Sequence, residues 1–266
     1  MRPTNPIRCA AVALLALAAC APRPLVAPAA SEETRLNDDV QVRRIAPGLW
    51  MHVTWATIAG GARYPANGML LETEDGSVLF DTGWNDEQAR ALLAWAERDL
   101  RRPVRRAYVT HAHDDRTGGI AALRRAGVPV AGLERTAEIA RAEGLPAPDG
   151  VPGLAAAPVR ESGYELFYPG PGHAPDNIVA WFPAQRVIFG GCLVKADTAT
   201  TVGNVADADV PNWPRAVASV RQRYPAVRLV IPGHGAPSGP AALPVTEALI
   251  ATKGPAALDA LRRARP

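Results

Sequence analysis

Tyr108-Val109-Thr110-His111-Ala112-His113-Asp114-Asp115-Arg116-Thr117-Gly118-Gly119 follows an apolar stretch and precedes a run with helical spacing. Its polar residues therefore sit where a strand hands over to a helix. Alternate side chains of an extended segment point the same way, and His111, His113 and Asp115 are alternate residues. Read so, two imidazoles and a carboxylate converge on one small volume, a donor set that zinc accepts. A polar turn that merely contains two histidines is the plainer reading of a single His-x-His. The acids, arginine and paired glycines that follow this one weigh against it.

Three further turns share the local form of small residues directly after a strand-like run. They are Pro169-Gly170-Pro171-Gly172-His173, Gly190-Gly191-Cys192 and Ile231-Pro232-Gly233-His234-Gly235. Glycine permits positive φ and close backbone approach, which helps side chains from distant segments reach one centre. Of the five histidines, four lie in these turns. The fifth, His52, lies in an early strand and reads as structural or simply exposed. His111, His113 and His173 with a water form a hydrolytic zinc site with an open position. Asp115, Cys192 and His234 form a second site whose soft thiolate suits the same metal. Two zinc ions per chain are expected.

The 266 residues are 48% hydrophobic and 21% charged, ordinary values for a globular protein. The formal charge is +3. Residues 1–30 hold Arg2, Arg8 and Arg23 and no acids, so they carry all of it. The body of the chain is near neutral, and no nucleic-acid partner is expected. Arg101, Arg102, Arg105 and Arg106 cluster near a helix end, where positive charge is favourable in itself, and read as solvated. The basic start and short apolar run ending in Leu17-Ala18-Ala19-Cys20 read as a secretory signal over 1–20, with Cys20 as a lipid-anchor site. Cleavage near Ala27–Ala30 is the alternative. Residues 21–35 read as a Pro/Ala tether, and 36–266 as one catalytic domain. Cys9 and Cys20 belong to the leader, which leaves Cys192 alone in the body, without a disulfide partner. The expected location is the periplasm, with anchoring to the outer membrane through Cys20, and the expected state is a monomer.

Apolar runs predict strands at 40–45, 49–55, 68–72, 77–80, 107–110, 165–168, 178–182, 187–189 and 229–231. Helical spacing predicts helices at 85–100, with Asn85 as N-cap, and at 119–126, 134–143, 213–224 and 244–263. The mixture predicts an α/β class with mixed sheets.

Together, His111-x-His113-x-Asp115-Arg116, His173, Gly190-Gly191-Cys192-x-x-Lys195 and Gly233-His234 resemble the metallo-β-lactamase superfamily. More narrowly, they resemble the class B β-lactamases with three-His and Asp-Cys-His zinc sites. Asp81-Thr82-Gly83 and Gly203-Asn204-Val205-Ala206-Asp207-Ala208-Asp209 resemble family segments as well. Arg116 and Cys192 stand where the glyoxalase II branch carries a histidine and a bridging aspartate. The resemblance implies a four-layer αβ/βα sandwich with two mixed β-sheets and both metals at the mouth between them.

It also implies zinc-dependent hydrolysis of the β-lactam amide of penicillins, cephalosporins and carbapenems by a metal-bound hydroxide, giving antibiotic resistance. Asp115 would hold the second metal and orient the nucleophile. Lys195 would pair with the substrate carboxylate, and Asn204 would assist the carbonyl oxygen or only form a turn. Arg116 and Asp81 would orient ligands. Residues 55–66 would form a mobile Gly-rich flap, with Trp55 and Tyr64 covering an apolar substrate face or simply packing. An exported lactonase or thioesterase of the same fold is the alternative function, and a non-catalytic zinc-binding protein a more distant one.

Overall fold

Period-two alternation sorts the strand residues into two apolar sets, one for each sheet face. In the computed structural model, which describes residues 33–264, eight strands form one sheet in chain order. They are β1 (Glu33–Asn37), β2 (Val40–Ala46), β3 (Leu49–Thr57), β4 (Arg63–Thr73), β5 (Gly76–Phe80), β6 (Val104–Tyr108), β7 (Val130–Gly132) and β8 (Asp149–Gly150). Pairing is antiparallel from β1 to β5 and parallel from β5 to β8. A second sheet is ordered β13-β12-β11-β10-β9. Its strands are β9 (Val159–Glu161), β10 (Tyr164–Phe167), β11 (Val179–Phe182), β12 (Val187–Gly191) and β13 (Leu229–Pro232). Only its β12–β13 pair is parallel.

The helices are α1 (Asp86–Arg98), α2 (Asp114–Thr117), α3 (Ile120–Arg125), α4 (Glu134–Ala142), α5 (Trp213–Arg223) and α6 (Ala242–Ala264). Leu70 and Leu79 face outward onto Ala89, Leu92 and Ala96 of α1 and Ile120 and Leu123 of α3. Their neighbours Met69, Leu71, Val78 and Phe80 face inward onto Leu166, Phe182, Val187 and Phe189 of the second sheet. That sheet turns Val179, Ile188 and Val230 outward onto Trp213, Val217, Leu243 and Ile250 of α5 and α6. The result is the four-layer αβ/βα sandwich with two mixed sheets.

Asn85 caps α1 by accepting from the Gln88 N–H through its side chain, which offsets an otherwise orphaned donor. Among the described residues, no helix is long and apolar enough to cross a membrane.

Two expectations need correction, and three short strands were not foreseen. Residues 33–35, read as the end of the tether, begin β1, which pairs along β2. The leader, Cys20 and the tether's remainder lie outside the described residues. Residues 55–66 are mostly not loop: β3 and β4 stay paired out to Thr57↔Arg63, so only 58–62 form the tip. Gly60 and Gly61 mark that tip, but the strand residues beside them have partners to pair with. Finally, β7, β8 and β9 are two or three residues long, too short to show a period.

The rings of Phe80 and Phe182, one from each sheet, meet edge-on with centroids 5.1 Å apart. Phe182→Ala empties that contact between the sheets. It is expected to cost about 3–5 kcal/mol, read as a lower urea midpoint at unchanged slope.

Candidate metal centre

All four motif turns leave strands at the same end of the two sheets. β6 ends at Tyr108, and the chain then bends through His111 and His113 before α2 begins at Asp114. The three polar residues are thus not on one extended segment, as the sequence suggested. His113 is still extended (φ −77°, ψ 154°), but Asp115 already lies on the first turn of a helix. Each residue of an α-helix turns the chain by about 100° rather than reversing it. Asp115 is thereby swung away from the two imidazoles and toward a different set of partners.

The two histidines meet His173, which follows β10. His111 Nε2 lies 3.0 Å from His113 Nδ1, and His173 Nε2 lies 3.2 Å from the same atom. The second set is Asp115 with Cys192, after β12, and His234, after β13. Cys192 Sγ is 3.2 Å from His234 Nε2 and 4.0 Å from Asp115 Oδ2, and His234 Nε2 is 3.3 Å from Asp115 Oδ2. Gly233 makes this approach possible: a Cβ there would stand 2.7 Å from Cys192 Sγ. In each set, one ligand atom per residue lies within 4.8 Å of the others.

These sets fit zinc. Zinc–nitrogen bonds of about 2.0–2.1 Å in a tetrahedron separate neighbouring ligands by about 3.3 Å, close to the spacings of the histidine set. The hydrogen bonds also leave the right lone pairs free. His111 Nδ1 lies 3.2 Å from Thr110 Oγ1, whose hydroxyl donates to Asp81 Oδ2 at 3.0 Å. His111 Nδ1–H therefore donates to Thr110, and its Nε2 is an acceptor. His234 donates Nδ1–H to the Pro65 carbonyl at 2.6 Å. His113 donates Nε2–H to Asp207 at 3.0 Å, leaving Nδ1 for the shared centre.

Electrostatics agree. Burial, helped by the neighbouring imidazoles, holds His111 and His173 well below the ordinary histidine range, so they are neutral and free to act as ligands. Burial pushes the Cys192 thiol up, but Arg116 and His234 outweigh it, and its pKa falls below the usual thiol value. Burial also lowers His234, yet the Cys192 and Asp115 charges raise it to about 9. The anions that would draw a metal cation draw a proton onto His234 just as well.

Arg116 underlies the second set. It is fully buried. One terminal nitrogen lies 2.6 Å from Asp115 Oδ2, 3.0 Å from Cys192 Sγ and 3.1 Å from the Gly233 carbonyl. The other donates to the Asn67 carbonyl and to Asp81 Oδ2. Asp81 also accepts the Thr110 N–H at 2.7 Å through Oδ1. Neither Arg116 nor Asp81 belongs to either group of donors: Arg116 contacts Asp115 and Cys192 directly, and Asp81 reaches His111 through Thr110.

His113, His173, Asp115, Cys192 and His234 line a cavity of about 600 Å³ together with Tyr64, Ile58, Lys195 and Asn204, with His111 buried behind them. Tyr64 reaches in from the hairpin with its ring 4.8 Å from that of His234. Trp55 does not line this cavity: it lies under the Arg63 guanidinium on the hairpin. Lys195 Nζ rests 5.1 Å over the Trp213 ring, which also faces His173. Asn204 Oδ1 accepts the Ala206 N–H, the turn-forming role, and its amide nitrogen has no part in that bond. His52 is buried, not exposed.

Two contributors carried no assigned role in the sequence reading. Thr110 is an ordinary strand-end residue until its hydroxyl is seen beneath His111. Asp207 lies within a family-like segment, and its contact with His113 spans 94 residues, so no local pattern reveals it.

A family model described as the metallo-beta-lactamase superfamily matches residues 61–234. A relative from Bacteroides fragilis named metallo-beta-lactamase type 2 is 35% identical over 211 residues, covering 79% of this chain and 85% of the relative. One of the same name from Bacillus cereus is 36% identical over 197 residues, covering 74% and 77%. Among solved structures, a metallo beta lactamase from Erythrobacter litoralis matches with a TM-score of 0.78 at 35% identity, covering 83% of this chain and 99% of that one. FIM-1 from Pseudomonas aeruginosa, in its mono-zinc form, matches with a TM-score of 0.74 at 35% identity, covering 82% and 98%.

Arg116→Ala would leave Asp81 and Asp115 buried without their cation. The expected cost is about 3–5 kcal/mol in urea unfolding. The metal-free Cys192 thiol should also titrate at higher pH, which ultraviolet thiolate absorbance would follow.

Proposed function

The chain belongs to the metallo-beta-lactamase superfamily, and on that premise we propose that it opens the β-lactam amide of penicillins, cephalosporins and carbapenems, giving antibiotic resistance. One observation carries the reading. Two ligand sets, one of three histidines and one of aspartate, cysteine and histidine, meet at an open cavity that five of the six residues line and that also holds a lysine. Two zinc ions per chain are proposed, one on His111, His113 and His173 and the other on Asp115, Cys192 and His234. The mono-zinc form named for the FIM-1 neighbour supports the metal's identity.

Zinc bound there would acidify a water near neutral pH and polarise the amide carbonyl. The chain's own residues do the rest. Thr110, Asp207 and the Pro65 carbonyl hold His111, His113 and His234 in the tautomers that present a lone pair to the centre. Arg116 favours the thiolate form of Cys192 and fixes the Asp115 carboxylate. Asp115 orients the nucleophile, and no covalent bond to the chain forms. Lys195, on the cavity wall, pairs its ammonium with the substrate carboxylate. Asn204 has an amide N–H to give to the carbonyl oxygen, its Oδ1 being taken up by the turn. Tyr64 and Ile58 supply an apolar cover from the hairpin.

The basic and apolar start of the chain supports export to the periplasm, with Cys20 as the lipid anchor to the outer membrane. A monomer acting on a small molecule, without a nucleic-acid partner, completes the proposal.

Purified protein should hydrolyse a chromogenic cephalosporin, lose that activity to a chelator and regain it with zinc. Absence of turnover in the zinc-loaded protein, with lactone or thioester hydrolysis in its place, would sink the β-lactam reading. Lys195→Ala should raise the Michaelis constant for penicillins about tenfold or more, as expected for loss of a charge-assisted contact. Cys192→Ala should lower the bound metal from two ions to one and remove most turnover, checked by metal counting beside the assay.

A further inference from the structure

His52 lies on β3 opposite Gly68 of β4, and its ring fills the place a side chain at 68 would take. A Cβ on Gly68 would stand 2.1 Å from His52 Nε2 and 2.6 Å from the Phe80 carbonyl oxygen. The imidazole is 2% exposed. Its Nε2 faces two carbonyl oxygens, Phe80 O at 3.3 Å and Asp81 O at 3.2 Å. Both are acceptors, so Nε2 carries the proton and divides it between them. Nδ1 is then a bare lone pair, and it is buried without a partner. Burial pushes the ring's pKa down to about 4, so it is neutral.

Successive carbonyls of an extended strand point to opposite sides. Here two in a row face one nitrogen, just where the backbone leaves β5. Asp81 makes that turn at φ 63°, a region that residues other than glycine seldom occupy. The turn must be held by its surroundings. The Asp81 N–H donates to the Tyr108 carbonyl at 2.7 Å on one side, and His52 grips the carbonyls on the other.

The turn matters because of what hangs from it. The Asp81 carboxylate bonds Thr110, whose hydroxyl supports His111 of the histidine set. It also bonds Arg116, which supports Asp115 and Cys192 of the other set. Both ligand sets are therefore two bonds from Asp81 and three from His52. Packing alone does not account for an imidazole here. An apolar side chain of similar size would fill the space without the cost of burying an unsatisfied nitrogen. The part of the ring that contributes is the N–H.

We propose that His52 is a positioning residue for the metal centre: its shared Nε2–H fixes the Asp81 turn and so sets the placement of both ligand sets. The proposal rests on the metal-binding half of the function above and is independent of the substrate.

Its test compares two variants of matched shape. His52→Gln offers an amide N–H at similar reach, and His52→Met fills the same volume with no donor and adapts readily to a core. Zinc dissociation constants come from competition with a chromophoric chelator. The thiolate-to-metal absorption of the cobalt(II)-loaded protein reports directly on Cys192. Thermal midpoints and cephalosporin turnover are measured in parallel.

His52→Met is expected to weaken zinc binding about 10–100-fold, the usual effect of losing an outer partner of a metal site, and to diminish the thiolate–cobalt band. His52→Gln is expected to restore most of both. Zinc affinity and a cobalt band unchanged in His52→Met would overturn the proposal. So would equal losses in both variants that track their thermal midpoints, since the ring would then act only as packing. Wild-type protein that bound zinc but left the cephalosporin intact would remove the β-lactam reading and leave this one standing. Wild-type protein that bound no zinc would remove both.

Discussion

A guanidinium with no access to water organises this site. Arg116 is enclosed with Asp81, Asp115 and the Cys192 sulfur, and buried charges persist only when they are paired. Burial pushes Asp81 up, with Arg116 opposing it, to about 6, so it is ionised at neutral pH. Asp115 is ionised far below that: burial raises it, but Arg116 and His234 more than compensate. With Cys192 as thiolate and His234 neutral, the states in which both can ligate, three negative groups face one arginine, and the imbalance equals the charge of one divalent cation; without a metal, a proton on His234 makes up part of it. The charge balance and the donor geometry thus point to the same occupant, by separate arguments.

The sandwich explains how such a cluster can be assembled. Its inner layer is held by aromatic and aliphatic side chains that interlock across the sheets, Phe80 and Tyr108 against Tyr164 and Phe182. Density of this kind leaves little freedom to the strands that end above it. The turns after β6, β10, β12 and β13 inherit that rigidity. Their side chains can then be placed to within tenths of an ångström, the tolerance a metal centre demands.

Much of this was legible in the letters. The apolar run Met69-Leu70-Leu71 announces a strand, and four glycine-flanked turns announce side chains meant to meet. The six residues that the fold brings into two groups each carry a local sign. Other features had none. The extended path assumed from His111 to Asp115 failed because α2 starts one residue earlier than Asp115, a matter of backbone hydrogen bonds rather than residue type. Asp207 and His52 meet partners far away in sequence, and Thr110 joins its neighbour His111 to the distant Asp81. The flap over 55–66 was read from its glycines, whereas cross-strand pairing, invisible in one strand alone, decides where a hairpin stops being a ladder.

Each ligand set draws on both sheets. His111 and His113 follow β6 of the first sheet, while His173 follows β10 of the second. Asp115 belongs to the first, while Cys192 and His234 belong to the second. An ion held between them is therefore a clasp joining the two halves of the molecule, as well as a reagent. Ligand occupancy at a hundred times the dissociation constant adds about 2.7 kcal/mol to the folded state, a large fraction of what holds a domain together. A cell starved of zinc would thus hold a looser protein, more readily opened and cut by proteases, and scarcity of the metal would limit how much of it survives as well as how fast it works.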